Sequence, residues 1–390
     1  MTILLEQFAM TANRLTFDIR YSSFLMAPRD YLRYILPDVL FGTERTKEIL
    51  HVNPTVEHER KPVAGIIISV FNYNEQTIEE HRYERIEDIF VARSADLISW
   101  INIDGIRKED VEKVCAHFGI HALLAEDILS CNQRPKMDEV EGVLYCLLNM
   151  LYFNHNESAV EQEQVSIALG RNFVITFQED PARDVFNPVR DRLRMGASKL
   201  RQRPADYLCY SLLDLIVDNY FLVMERLGER IEELEEELVR KSTPASMARI
   251  NRLRKELIVL KRNILPVRDL VASIIRSESP LLDDRTTKYF KDVYDHILQA
   301  ADLSENYRDV LMSMQDIYIN NVNLKMNEAM KVMAVVTCLM APATVIGGIF
   351  GMNFEQVPLI HNKWGFFISI GLMLFIPVWM IRLFRRRGWF

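Results

Sequence analysis

The stretch VMAVVTCLMAPATVIGGIF, residues 332–350, carries no charged side chain, and residues 365–381 carry none either. Each is about 17–20 residues long, the length a helix needs to cross ~30 Å of hydrocarbon. Trp364 and Trp379 lie toward the ends of the second stretch, as aromatic residues do at membrane interfaces. Two such runs in succession predict a membrane hairpin rather than two buried helices of a soluble core. Lys325 and Lys331 precede the first run, and Arg382, Arg385, Arg386 and Arg387 follow the second. The connection, 351–363, has Lys363 as its one base, so the positive-inside rule puts both ends in the cytoplasm and the loop outside.

The rest of the chain reads as soluble. Over 390 residues the mean hydropathy is −0.03 and the net charge is −7. That charge disfavours a nucleic-acid partner and suits a protein that handles cations. Five cysteines, Cys115, Cys131, Cys146, Cys209 and Cys338, form no CxxC pair, which points to a reducing compartment. Cys115, His117 and His121 are close enough in sequence to suggest zinc, but tetrahedral zinc needs a fourth ligand; buried Cys and His on a helix is the simpler reading. The N-terminus resembles neither a secretory signal nor a transit peptide.

Residues 1–60 show no clear period and stay unassigned. From 61 to about 200, strand-like segments rich in β-branched and aromatic residues (VAGIIISVFNY, LISWINI, GVLYCLLNMLYF, QVSIALG, NFVITFQ) mix with a helix at RKEDVEKVCAHFGI. This predicts an α/β or α+β cytosolic domain. After Pro204 the chain reads helical. Residues 205–241 end in an acidic run, Ser242-Thr243-Pro244 breaks it, and a basic helix follows at about 245–276, the two forming antiparallel stalk helices over 201–285. Their opposite charges predict either pairing across the interface or two solvated faces. A third helix, 286–350, meets no Pro or Gly before Pro342 and runs into the first membrane stretch. Some 60 residues of it at 1.5 Å each would make roughly 90 Å of helix, which calls for bundling. The second span is expected at 364–384, with a basic tail at 385–390.

On that long helix Asp295, Asp302, Asp309 and Asp316 fall seven residues apart, and the series continues through Asn323, Met330, Thr337, Thr344 and Gly351. Asn327, Ala334, Ala341 and Gly348 form a neighbouring line. A seven-residue repeat keeps one face toward a bundle axis. The face is acidic in the cytosol, then polar and small in the membrane. Solvated acids and close helix packing would explain it, and so would a pore whose acidic rings concentrate cations.

The Gly351-Met352-Asn353 turn between the spans resembles the signature of the CorA family of divalent-cation transporters. FGIHALLAEDILSCNQRPK (118–136), PADYLCYSLLDLIVDNYF (204–221), KYFKDVYDHILQAAD (288–302) and NEAMKVM (327–333) also look like family sequence, so the resemblance spans roughly 95–390. It implies a homopentameric funnel in a bacterial inner membrane, with divalent cations and the lipid bilayer as partners and no cofactor. Mg²⁺ would be both substrate and regulatory ligand. Gly351, Met352 and Asn353 would form the selectivity filter, with neutral Asn353 amides holding a hydrated ion. Asp316, Asn327, Met330, Met333, Thr337, Ala341, Thr344 and Gly348 would line the pore. Asp127, with Glu126 beside it, would face Asp292 of a neighbouring subunit and bind regulatory Mg²⁺. Two departures stand out: Ala341 replaces a large apolar residue common in the family, and Leu359 replaces an acid after Pro358, leaving Glu355 as the external loop's one acid. Co²⁺, Ni²⁺ or Zn²⁺ transport, including proton-coupled zinc export, and a non-conducting membrane scaffold are the alternatives. No nucleophile–base pattern or phosphate-binding loop suggests an enzyme.

Overall fold

The computed structural model describes residues 65–91, 97–131, 133–155, 158–196, 198–352, 359 and 362–388, all in the compact unit that begins at Asn53. Residues 1–60, Asn353 and Glu355 lie outside the described residues.

A seven-stranded sheet forms the head: β1 (Ile67–Tyr73), β2 (Ile78–Tyr83), β3 (Ile98–Asp104), β4 (Lys136–Val140), β5 (Val143–Asn154), β6 (Ala159–Leu169) and β7 (Phe173–Gln178), in the order β2-β1-β3-β7-β6-β5-β4. β3 and β7 run parallel and every other neighbouring pair antiparallel. The central strands are buried on both faces, which explains their near-continuous apolar sequences. β2 (IEEHRY) and β4 (KMDEV) are edges. The strand reading of the sequence passes over both because their charges hide the apolar pattern; such charges protect edges from further pairing. β4 turns into β5 through Glu141 and Gly142, both at positive φ, the backbone of a tight two-residue hairpin.

Helices cover both faces. On one lie α1 (Ile86–Val91), α2 (Lys108–Phe118) and α3 (Ala122–Leu129), whose Ile86, Ile89, Val114, Phe118, Leu124 and Ile128 pack on Ile68, Ile101, Ile103 and Ile175. On the other lie α4 (Asn187–Arg194), α5 (Ala205–Arg240) and α6 (Pro244–Arg276). Tyr220 Oη donates to the Asn149 carbonyl at 2.7 Å and Asn149 Nδ2 to Asn263 Oδ1 at 2.7 Å, fixing α5 and α6 on β5. The domain is therefore α/β, as its sequence implies.

α7 (Asp284–Phe350) has 67 residues and is about 100 Å long. It starts at an Asp283 cap, whose own amide donates to Asp206 Oδ2 on α5 at 2.8 Å. Its Phe290, Val293, Ile297, Ala300, Ser304, Leu311 and Met314 are buried against α5 and α6. α8 (Gly365–Arg386) returns beside its lower end. Among the described residues three helices are long and apolar enough to span a membrane, α5, α7 and α8; 61% of the apolar window of α5 is buried in the head, against 6% in each of the other two. Packing thus separates the core helix from the membrane pair. The acidic and basic stalk helices meet through Glu237 and Arg249, whereas Arg226, Arg230 and Arg240 pair with glutamates of their own helix α5. α7 also takes part, through Lys261 and Glu305.

Candidate functional site

Write α7 as a heptad with Phe290 at a. The buried residues then fall at a (Phe290, Ile297, Ser304, Leu311) and d (Val293, Ala300, Met314). The same register holds in the membrane portion. There Leu339 and Ile346 at a and Val335 and Pro342 at d are less exposed, as are Ala343 and Phe350 at e, while Val332 at a and Ile349 at d are exposed, and α8 packs against this helix. The seam therefore faces the protomer's own elements from Phe290 to Met314 and again from Val335 to Ile346, with residues 322–334 exposed between them, and both parts keep one 3.5-residue register rather than drifting by ~20° per heptad.

The aspartate series occupies f, roughly 180° from the middle of that seam by the heptad geometry. Asp295, Asp302, Asp309, Asp316, Asn323, Met330, Thr337, Thr344 and Gly351 are all exposed. The c column is exposed too and is longer than the sequence reading made it: Asp292, Gln299, Asn306, Ser313 and Asn320 precede Asn327, Ala334, Ala341 and Gly348. The seven-residue repeat carries this signal one line over. Met333 is exposed at b, about a quarter turn from the c/f face. Thr337 Oγ1 donates to the Met333 carbonyl at 2.9 Å and Thr344 Oγ1 to Met340 at 3.1 Å. Each hydroxyl proton is thereby turned back on the helix, leaving oxygen lone pairs to accept or to meet a cation.

Gly351 caps α7 with φ −88°, ψ −1°, so the exit uses right-handed backbone open to any residue. A Cβ there would stand 3.1 Å from the Gly347 carbonyl oxygen and 3.7 Å from that of Gly348, both in the last turn of α7. Met352 is exposed.

Asp127 and Glu126 lie on α3, with Glu126 exposed. Asp127 is held by Lys136 Nζ at 2.6 Å, and Lys136 also reaches Asp138 at 3.3 Å. Desolvation is the largest single influence on the lysine and lowers it, but the hydrogen bonds and charges of Asp127 and Asp138 together outweigh it and raise the lysine above its ordinary range. Asp292 is exposed on α7. Among the described residues no hydrogen bond or ion pair joins Asp127 to Asp292 within the protomer.

One cluster escapes sequence reading. Asp214 and Asp218 on α5 and His296 on α7 bring ligand atoms within 4.8 Å of one another. His296 Nδ1 is enclosed and makes no hydrogen bond, and Phe221 lies edge-on to its ring. Burial first, then the charge of Asp218, pushes the Asp214 carboxyl above its ordinary range; the Tyr210 hydroxyl and His296 oppose this. Two carboxylates and an imidazole make a donor set for a divalent cation. The i, i+4 aspartates are legible in PADYLCYSLLDLIVDNYF, but their meeting with His296 depends on α5–α7 packing. His296 is one turn past Asp292, so the cluster adjoins that residue. By contrast, Cys115 is buried in the core, His117 stacks on Phe90, and His121 Nδ1 caps α3 by accepting from Leu123 N. Of the three only Cys115 is buried; His117 is exposed and His121 is a half-buried cap preceding α3, so the reading of buried Cys and His on a helix is corrected for the two histidines.

The model of the family described as CorA-like Mg²⁺ transporter protein matches residues 96–386. A cobalt/magnesium transport protein CorA of Thermotoga maritima is 39% identical over 323 residues, covering 83% of this chain and 92% of that protein. The complete structure of the CorA magnesium transporter from Methanocaldococcus jannaschii superposes with a TM-score of 0.71 at 26% identity, covering 85% of this chain and all of that one. With its α/β head, long helix and apolar C-terminal pair, the chain belongs to the CorA family of divalent-cation transporters, a family of membrane proteins and not of enzymes.

Proposed function

We propose that the protein conducts Mg²⁺ into the cytosol as a homopentamer, with α7 of each subunit around a central pore and the c and f columns facing the ion. The observation that carries this reading is the placement of those columns: polar or small over most of their length, exposed, and opposite the seam that α7 gives to its own protomer. Five such faces turned to one axis would form rings of Asp295, Asp302, Asp309 and Asp316 above a channel lined by Asn327, Met330, Thr337, Ala341, Thr344 and Gly348, with Met333 at its edge. Acidic rings concentrate cations, and the threonine oxygens can bind the hydration shell of Mg²⁺, which dehydrates reluctantly. Gly351, Met352 and Asn353 form the outer filter. Transport needs no nucleotide: a doubly charged ion gains about 4.6 kcal/mol per 100 mV of membrane potential. Basic residues at both ends of the hairpin support a bacterial inner-membrane protein with cytosolic termini.

Cytosolic Mg²⁺ closes the pore. Asp127, with Glu126, binds it against Asp292 of the next subunit once Lys136 is displaced, and Asp214, Asp218 and His296 hold a second cation. The imidazole favours a second reading for the cargo, Co²⁺ or Ni²⁺, which take nitrogen ligands more readily than Mg²⁺ does. Influx into liposomes holding the full chain, with an internal Mg²⁺ dye, tests the proposal. Wild-type influx that disappears in Asn353→Ala supports it. Entry of Co²⁺ or Ni²⁺ but not Mg²⁺ would change the cargo, and no entry of any divalent cation would leave a scaffold.

A further inference from the structure

We infer that Ser242, Asn321 and Lys325 form a latch that sets the rotation of α7 just above the membrane, making them positioning residues for Asn327 and Met330. The inference rests on reading α7 as the pore helix.

The apolar seam of α7 ends at Met314. The next a and d positions are Tyr318, Asn321, Lys325 and Glu328, which supply polar groups where hydrophobic packing has given out. Here the tip of the α5–α6 hairpin meets α7. Lys325 Nζ donates to the Ser242 carbonyl at 2.9 Å, and Asn321 Nδ2 donates to Ser242 Oγ at 2.7 Å. Ser242 Oγ donates in turn to the Leu238 carbonyl at 3.1 Å, so the hydroxyl both gives and receives. Ser242 is only 8% exposed.

The chemistry of the tip suits the cation it receives. Ser242 follows Lys241, the C-cap of α5, where the helix dipole presents its negative end and an ammonium is favoured. The tip is also rigid: Thr243 and Ser246 form a capping box, Ser246 Oγ donates to Glu237, and Glu237 pairs with Arg249. A stiff receptor thus grips α7 at two positions four residues apart, which fixes rotation as well as height.

From residue 322 to 334 every residue of α7 is exposed. Lys325 lies seven residues before Val332, about 10 Å along the axis, so the latch is the protomer's last hold on α7 before the membrane stretch among the described residues. Asn327 and Met330 follow by two and five residues, too few for a helix to twist independently. A 20° rotation at the latch would move side-chain atoms ~6 Å from the axis by about 2 Å, enough to change how a ring of amides meets a hydrated ion. The latch holds α7 in the arrangement in which Asp214, Asp218 and His296 are gathered; with these three holding a closing cation, as proposed above, loss of the latch raises the cation concentration that closure needs.

The test uses full-length protein in liposomes: wild type, Asn321→Ala, Lys325→Met, the double variant and Lys325→Arg. The internal Mg²⁺ concentration for half-closure and amide hydrogen exchange over 318–331 are read on the same samples. Each loss variant should raise the half-closing concentration about fivefold, the effect of one net hydrogen bond. The double variant should exceed the larger single effect little, since both bonds end on Ser242. Lys325→Arg should stay near wild type, and exchange over 318–331 should quicken in the loss variants alone. Unchanged closure in the loss variants, or exchange equal to wild type, overturns the latch. A wild type that passes no divalent cation defeats the transport proposal instead; exchange then decides the latch by itself, equal rates refuting it and faster rates in the loss variants supporting it.

Discussion

Replacing Asp104 by asparagine should abolish a pH dependence built into the head. Asp104 ends β3 and is 4% exposed. Asn102 Nδ2 donates to both its oxygens at 3.0 Å and Gln178 Nε2 to Oδ1 at 2.8 Å. Burial first, then the charge of Asp184, raises its pKa from 3.8 to about 6; those amides and Arg190 act in the opposite sense. Between pH 3.8 and 6 the folded state holds a proton that the unfolded state has lost, so stability falls as pH rises through the window. The contribution is complete below pH 3.8 and gone above about 6. At 1.36 kcal/mol per pKa unit it is about 3 kcal/mol. The check is urea unfolding of the full chain in micelles, followed by emission of Trp100, which lies on the same sheet face and donates to Thr176. The stability of wild type minus that of Asp104→Asn should fall by about 3 kcal/mol from pH 3.8 to above 6, the difference cancelling acids common to both. A difference flat to within ~0.5 kcal/mol would refute the reasoning.

Gly228→Ala should destabilise the α5–α7 seam by about 1–3 kcal/mol, because its Cβ would stand 2.4 Å from Tyr307 Oη; thermal unfolding should show the loss, reduced in a Tyr307→Phe background. Lys136→Met removes the ammonium that holds Asp127 at 2.6 Å, freeing the carboxylate for a cation, so half-closure should need several-fold less internal Mg²⁺, read by dye-based flux. His296→Asn exchanges an imidazole for an oxygen donor, so closure by internal Co²⁺ should weaken at least about tenfold and closure by Mg²⁺ much less; isothermal titration of both ions on the full chain would check this.

The membrane pair was readable because lipid imposes a length and forbids charge, a constraint strong enough to survive without an alignment. The central strands were readable for a related reason: burial on both faces leaves little but apolar residues, as in VLYCLLNMLYF. β2 and β4 were not, since an edge strand answers to solvent and carries IEEHRY or KMDEV. The f column showed as a heptad of aspartates, yet its meaning needed the structure. Only the packing of Phe290, Ile297 and Leu311 shows that the column points away from the protomer's own helices. Asp214, Asp218 and His296 stayed hidden because the chain brings them together from positions some 80 residues apart, and local patterns contain no such contact. Lys136 likewise changes the environment of Asp127 through a β4–α3 contact that spacing does not announce.

The central claim is that the c/f face of α7 meets the ion. Its most direct test is cysteine substitution at Thr337, Ala341, Thr344 and Gly348, with Leu339 and Ile346 from the a positions as controls, in full-length protein whose Cys338 is replaced by serine. Each is reconstituted and Mg²⁺ influx is measured before and after a cationic methanethiosulfonate reagent. Block at the first four positions and none at Leu339 or Ile346 is the predicted result. Block at the a positions, or equal insensitivity at all six while wild-type influx persists, would contradict the account.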